Sequence, residues 1–81
     1  MAHVRAQIRL TTQEDIGGFI KALCDGTNNR YSLENFDGSE RANARSILGV
    51  MYAAGDYPDE MFLVNDTIDG FFPSGIDIYR A

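Results

Sequence analysis

Several residue types are scarce in this 81-residue chain, and each scarcity argues against a class of protein. Cys24 is the single cysteine, so neither an internal disulfide nor a CxxC metal site can form, and a reducing cytoplasm is the expected compartment. No apolar run approaches the roughly 20 residues that span a bilayer. Residues 1–5 lack the longer apolar stretch of a signal peptide. We therefore expect neither a membrane protein nor a secreted one.

Positive charge is also in short supply. Seven basic residues stand against twelve acidic ones, which gives a formal net charge of −5. Nucleic acids and anionic membranes bind through large positive patches, which this balance does not favour, so we expect neither as a partner. The acidic residues after Gly55 do not have the spacing of an EF-hand loop, and no metal or cofactor is predicted.

The residues that are present indicate one globular domain over residues 1–81. Hydrophobic side chains make up 44% of the chain and aromatic ones 11%, which is ordinary for a packed core. Near the start, polar and charged positions alternate with four apolar ones, Val4, Ala6, Ile8 and Leu10. This period of two predicts a strand with one buried face.

Three further strands are predicted over residues 31–36, 41–42 and 61–64. Between the first two of them, Asp37 and Gly38 favour a hairpin turn, because both tolerate a positive φ. The predicted order of elements is therefore β-α-β-β-α-β, followed by a short tail.

Two helices are predicted between these strands. The first begins with a capping-box spacing from Thr11 to Glu14, in which a hydroxyl and a carboxylate each bind an unpaired backbone N–H. Its apolar stripe reaches Cys24, so we expect that thiol to be buried. The second helix begins at a capping residue, for which Asn43 and Ser46 are both candidates.

The second helix lies within the sequence NARSILGVMYAAG, at residues 43–55. This segment resembles the second-helix region of HPr, the histidine phosphocarrier of the bacterial sugar phosphotransferase system, above all from Ser46 to Met51. The order of strands and helices also fits the family, over roughly Val4 to Asp66. The resemblance implies an α/β (α+β) open-faced sandwich, a four-stranded antiparallel sheet with two helices on one face. The family's third helix looks truncated or replaced here.

The tail is expected to be extended and to pack back on the body, since glycine and proline disfavour a long helix there. We expect its apolar residues to cover sheet surface that the missing third helix leaves open, unless a second subunit does so. These residues are Phe71, Phe72, Ile76 and Ile78.

The phosphoryl-carrying motif of the family is missing from this sequence. HPr proteins carry phosphate on a histidine at the start of the first helix, and alignment on Ser46 places Asp15 at that position. The family's arginine in the same motif is replaced by Gly17. His3, the only histidine, lies in the outward row of the first strand. The resemblance therefore implies a divergent member without histidine phosphotransfer, and not an enzyme.

Asp15 has two readings. It is a phosphate acceptor if the chain is an active phosphoryl carrier that uses Asp15 or His3. The simpler reading is a carboxylate in the first helical turn that interacts favourably with the helix macrodipole.

Ser46 also has two readings. In some members of the family a serine kinase phosphorylates the aligned serine, and a phosphate there would meet unpaired N–H groups at the helix start. Arg41 and Arg45 are candidates for additional charge-assisted hydrogen bonds to that phosphate. The simpler reading is a helix cap without further function.

The second helix carries more apolar residues than one buried stripe can hold, so some of them should face solvent. In HPr proteins the positions aligned with Ile47, Leu48 and Met51 form part of the partner-docking surface. The resemblance thus implies a regulatory or docking module that binds a protein partner here. A homo-oligomeric structural domain is the alternative from a different class.

Overall fold

The computed structural model describes residues 5–24, 30–66 and 72–81. In chain order its elements are β1 (Arg5–Ile8), α1 (Gln13–Cys24), β2 (Tyr31–Glu34), β3 (Arg41–Asn43), α2 (Ile47–Asp56), β4 (Met61–Asn65) and a C-terminal 3-10 helix (Ser74–Tyr79). The predicted order β-α-β-β-α-β is confirmed.

The four strands form one antiparallel sheet with the spatial order β1-β4-β2-β3. The register places Ile8 of β1 opposite Met61, and Leu33 of β2 opposite Leu63. The alternation predicted for the first strand is confirmed, because Arg5 and Gln7 are exposed while the residues between and after them are buried. The turn between β2 and β3 contains Gly38 at a φ of 75°, as its sequence predicts.

Both helices pack on the same face of this sheet. Phe19 and Leu23 of α1, with Val50 and Ala53 of α2, join the inward-facing strand residues in a single core cluster. The largest fully buried apolar side chains are Phe19, Ile8, Leu23, Leu33, Met61, Leu63, Ile76 and Val50. Among the described residues no helix covers the opposite face, which agrees with the open-faced arrangement predicted from the sequence.

The uncovered face carries charged side chains from three strands. Glu34 of β2 accepts Arg5 Nε at 2.9 Å on one side and pairs with Arg41 Nε at 3.2 Å on the other. The Arg5 guanidinium also lies 4.0 Å from the centre of the Phe62 ring. We call this set of ion pairs the sheet network.

The tail forms a six-residue 3-10 helix, so the predicted extended conformation is wrong for this segment. Three residues per turn place Ile76 and Tyr79 on one side of it. Ile76 is fully buried, and the Tyr79 ring meets Phe19 edge-on with 5.8 Å between centroids. The tail does pack back on the body, as predicted.

One of the predicted covering residues points the other way. Ile78 is 81% exposed, because the tight 3-10 turn directs it away from the side that carries Ile76. Phe72 is partly buried against the core, and Phe71 lies outside the described residues. The role predicted for Ile78 is therefore wrong.

The backbone at the end of the tail pairs with β1. The Arg9 N–H donates to the Tyr79 carbonyl at 2.8 Å, and the Ala81 N–H donates to the Gln7 carbonyl at 3.0 Å. An isolated bridge joins Ile8 to Arg80 between them. The tail thus occupies the side of β1 that β4 leaves open.

Helix α1 ends on an exposed residue. Cys24 is exposed, so the prediction of a buried thiol is wrong. Leu23 occupies the buried position, and one residue further the helix has turned by more than a quarter of a turn.

In the parts of the chain that the structure covers, no helix has the length and apolar character to cross a membrane.

Candidate docking face and phosphorylation site

Helix α2 exposes large apolar side chains on the side away from the core. Val50 and Ala53 are fully buried. Four others, Ile47, Leu48, Met51 and Tyr52, are respectively 58%, 75%, 48% and 51% exposed, and we call them the α2 patch. The prediction that this helix cannot bury all its apolar residues is confirmed.

A small cleft of about 250 Å³ adjoins the patch where α1 and α2 meet. Ile16 and Gly17 line it from α1, and Ile47 and Met51 line it from α2. A Cβ added to Gly17 would meet no atom within 4 Å, so the cleft is open above this glycine. Its size and apolar walls suit a single side chain from another molecule.

The other end of the patch is acidic. The Tyr52 hydroxyl donates to Glu40 Oε1 at 2.7 Å. This hydrogen bond, together with the negative charge of nearby Asp56, raises the pKa of Tyr52 to about 12. The phenol therefore stays neutral at physiological pH and holds a carboxylate beside the apolar surface.

Ser46 caps α2, which decides between the two predicted capping residues. Its backbone is extended, with φ −108° and ψ 130°, and its Oγ accepts the Gly49 N–H at a long 3.4 Å. Asn43 instead accepts the Arg45 N–H on its side-chain oxygen at 2.9 Å. The Ser46 side chain is part-buried at the helix start, next to Ile47 of the patch.

The glycine in this segment has a steric reason. A Cβ on Gly49 would lie 2.5 Å from the carbonyl oxygen of Asn43. The first turn of α2 thus passes directly over the end of β3, and only glycine allows this approach without a backbone shift.

The two arginines considered as phosphate ligands for Ser46 have different settings. Arg41 belongs to the sheet network, where Nη2 also binds Asp66 Oδ1 at 2.7 Å. Arg45 directly precedes the cap and lines a separate cleft with Arg41 and Asp66. A phosphate on Ser46 would thus have Arg45 as its neighbour in the chain.

Asp15 lies at the start of α1 and is part of its cap. Its Oδ2 accepts the N–H and the hydroxyl of Thr11, at 3.0 and 2.9 Å, and the Thr12 N–H at 3.2 Å. The Thr12 hydroxyl in turn accepts the Asp15 N–H at 3.1 Å. These bonds, those from Thr11 first, lower the pKa of Asp15. The predicted box from Thr11 to Glu14 is therefore wrong by one residue, since the pair is Thr12 with Asp15.

The surroundings of Asp15 bear on its use as a phosphate acceptor. It lines a cleft of about 510 Å³ that also contains Arg9 and Arg80. No group of three or more metal-binding side chains occurs within residues 5–24, 30–66 and 72–81. His3, the other candidate acceptor, lies outside the described residues.

The cleft that Arg45 shares with Arg41 and Asp66 has a volume of about 590 Å³ and lies at one end of β2 and β3. It was not predicted from the sequence. Three arginines line it, Arg30, Arg41 and Arg45. Arg41 and Arg45 were named from the sequence as candidate phosphate ligands, whereas Arg30 was missed; it directly precedes β2, at the end of the hairpin where β3 leads into Arg45.

No protein family, curated protein or solved structure matches this chain. The resemblance to HPr therefore depends on the residues of the Ser46 segment and on the order of elements. No matching protein therefore assigns a role to Asp15 or Ser46.

Proposed function

We propose that this chain is a divergent HPr-like protein that docks a protein partner through the α2 patch and lacks histidine phosphotransfer. In this proposal Ser46 is a phosphorylation switch at the edge of the docking surface, and the protein acts in the bacterial cytoplasm as a regulator. The exposure of Ile47, Leu48 and Met51 carries the proposal, because the resemblance puts the family's docking surface at these positions.

The chemistry of the patch supports protein docking. Burial of apolar surface favours association, and contiguous exposed apolar side chains commonly mark protein interfaces. Met51 adds a flexible side chain that adapts to the shape of a partner. Gly17 leaves the adjoining cleft open for an anchor residue.

The charges at the patch indicate what kind of partner fits. Glu40 and Asp56 lie beside Tyr52, and the chain as a whole is acidic. A complementary partner has an apolar centre with a basic rim on this side. Association with such a partner should slow as the ionic strength rises.

Phosphorylation of Ser46 would place about −1.5 to −2 charges at the start of α2, next to Ile47. The phosphate would meet the unpaired N–H groups of the first helical turn, which is a favourable setting for an anion. The added negative charge disfavours a partner surface that is apolar near Ser46 and favours one with basic groups there.

The first experiment is an intact-mass measurement after incubation with ATP and the serine kinase of the HPr family. The expected result is the gain of one phosphoryl group that survives acid and is absent from Ser46→Ala. Phosphoenolpyruvate with the first enzyme of the phosphotransferase system should leave the mass unchanged. An acid-labile gain with those reagents would instead establish an active carrier that uses Asp15 or His3.

Docking is tested separately, by methyl NMR during titration with that first enzyme. We expect shifts at Ile47, Leu48 and Met51, and loss of binding in Leu48→Asp. Ile78→Asp is the matched control, because it puts the same charge at another exposed aliphatic residue outside the patch. Absence of any methyl shift at saturating enzyme would contradict docking. A light-scattering mass of two chains that Leu48→Asp halves would favour the homo-oligomeric alternative.

A further inference from the structure

We infer that the cleft lined by Arg30, Arg41 and Arg45 is a binding site for a small organic phosphate. The cleft shares no residue with the α2 patch, and Arg41 and Arg45 in its lining are also the candidate ligands of a phosphate on Ser46, so the inference concerns the protein with Ser46 unphosphorylated.

The hairpin register brings these arginines together. Ser32 of β2 pairs with Asn43 of β3, and the Ala44 N–H continues the ladder by donating to the Tyr31 carbonyl at 3.1 Å. Arg30 precedes Tyr31 and Arg45 follows Ala44, so both lie at the same end of the hairpin. The Asp66 N–H donates to the Arg30 carbonyl at 2.8 Å, which fixes the backbone on the other side.

The lining of the cleft is rich in arginine, although the protein as a whole is acidic. Of the chain's seven basic residues one is lysine, so three of its six arginines line this single cleft. Among the described lining residues Asp66 is the acidic one, and Arg41 also pairs with Glu34 next to the cleft, so two carboxylates stand against three guanidinium groups. The chain as a whole carries −5.

Asp66 is already engaged by two lining residues. Its Oδ1 binds Arg41 Nη2 at 2.7 Å, and its Oδ2 accepts the Ser32 hydroxyl. Arg41 faces Glu34 in the register and is already paired, so a bound dianion would add charge-assisted hydrogen bonds from the arginines of the cleft rather than replace missing ones.

Size and geometry narrow the class of ligand. A cleft of about 590 Å³ lies within the usual range of small-molecule sites. Guanidinium groups bind phosphate through two parallel N–H bonds, and the Ser32 hydroxyl and Asn43 amide add polar contacts for the rest of the molecule. Three arginines around one cleft suit the two charges of a phosphate monoester better than a single carboxylate.

The test is an amide NMR titration with inorganic phosphate and with glycerol 3-phosphate, at constant ionic strength. We expect saturable shifts centred on Arg30, Ser32 and Asn43. Arg30→Gln and Arg45→Gln should each raise the Kd about tenfold, which corresponds to about 1.4 kcal/mol. Lys21→Gln is the control, because it removes the same charge from an exposed position outside the cleft and should leave the Kd unchanged.

Two results would overturn the assignment of a small organic phosphate. One is a failure of specific binding, seen either as no saturable shifts or as equal weakening by Lys21→Gln, the latter indicating general charge screening. The other is a phosphoserine peptide that binds the same residues at least about tenfold more tightly than glycerol 3-phosphate, which would make the ligand a phosphoprotein. Comparison of amide spectra before titration confirms that each variant is folded, and the two arginine variants test the site independently.

Discussion

Asp15 illustrates how a single side chain stabilises the start of a helix. Its Oδ2 accepts three hydrogen bonds from Thr11 and Thr12, and the Thr12 hydroxyl accepts a fourth from the Asp15 N–H. A carboxylate in the first turn of α1 also interacts favourably with the helix macrodipole. The residue thus stabilises the start of the helix in its ionised form.

The lowered pKa of Asp15 predicts how its contribution depends on pH. A depressed folded-state pKa stabilises the fold above the unfolded-state value and is lost as the pH falls through the folded one. We expect Asp15→Asn to be less stable than the parent in urea at pH 7, and nearly equal to it once the pH has fallen below the lowered folded-state pKa of Asp15. Glu14→Gln, the same charge change in the same turn, should have the smaller effect. A pH-independent loss in Asp15→Asn would contradict this cause.

The sequence could predict the helix start but not the residue that caps it. Two adjacent hydroxyls, Thr11 and Thr12, stand three positions before two adjacent carboxylates, Glu14 and Asp15. Both pairs fit the capping-box spacing, so the local pattern does not choose between them. Tertiary packing decides, because Leu10 is buried and fixes where the chain turns into α1.

At the scale of elements, the ten residues of α2 meet two packing requirements, one set by the core and one by β3. Its buried side uses the small Ala53 and the branched Val50, while its first turn passes close over β3 at Gly49. The apolar composition of this helix predicted that some residues are exposed. The apolar pattern alone does not identify the exposed ones, since that depends on the direction of the helix across the sheet; it was the resemblance to HPr that pointed to Ile47, Leu48 and Met51.

The two glycines of α2 give opposite predictions for the same substitution. Gly55→Ala meets no atom within 4 Å and should stabilise the protein by about 0.5–1 kcal/mol, because glycine is a poor helix former. Gly49→Ala meets the Asn43 carbonyl and should destabilise it by about 1–3 kcal/mol. Chemical denaturation measures both free energies of unfolding. Equal effects would contradict the close approach of α2 to β3.

The tail marks the limit of sequence reasoning at this scale. Pro73 and Gly75 correctly disfavoured a long helix, and burial of Ile76 was expected. A short 3-10 helix has no periodic signature that separates it from an extended segment over six residues. The exposure of Ile78 follows only once the three-residue turn is known.

At the scale of the whole molecule, the sheet network joins segments that are distant in sequence. Glu34 on β2 binds Arg5 of β1 and Arg41 of β3, and Arg41 continues to Asp66 after β4. The Glu34 side chain is only 15% exposed, so its two pairs are better shielded from solvent than ordinary surface pairs. The network links three strands across the uncovered face.

Removal of the central carboxylate should weaken the entire fold. We expect Glu34→Gln to lower the free energy of unfolding by about 1 kcal/mol at low salt, and by less in about 1 M NaCl. Asp77→Asn is the control, because it breaks a more exposed pair with Arg80 and should cost less than about 0.5 kcal/mol. Equal losses in the two variants, unaffected by salt, would show that the network contributes nothing specific.

The pairing of the tail with β1 also bears on aggregation. Unpaired N–H and C=O groups along an edge strand are a template on which another chain can add a strand. Here the backbone bonds from Tyr79 and Ala81 to the residues of β1 occupy one such edge. The remaining edge, β3, has only three residues and carries the charged Arg41. Within the described residues, the tail thus covers the part of the β1 edge around Ile8, and the β3 edge is short and charged, so both disfavour strand addition from a second chain.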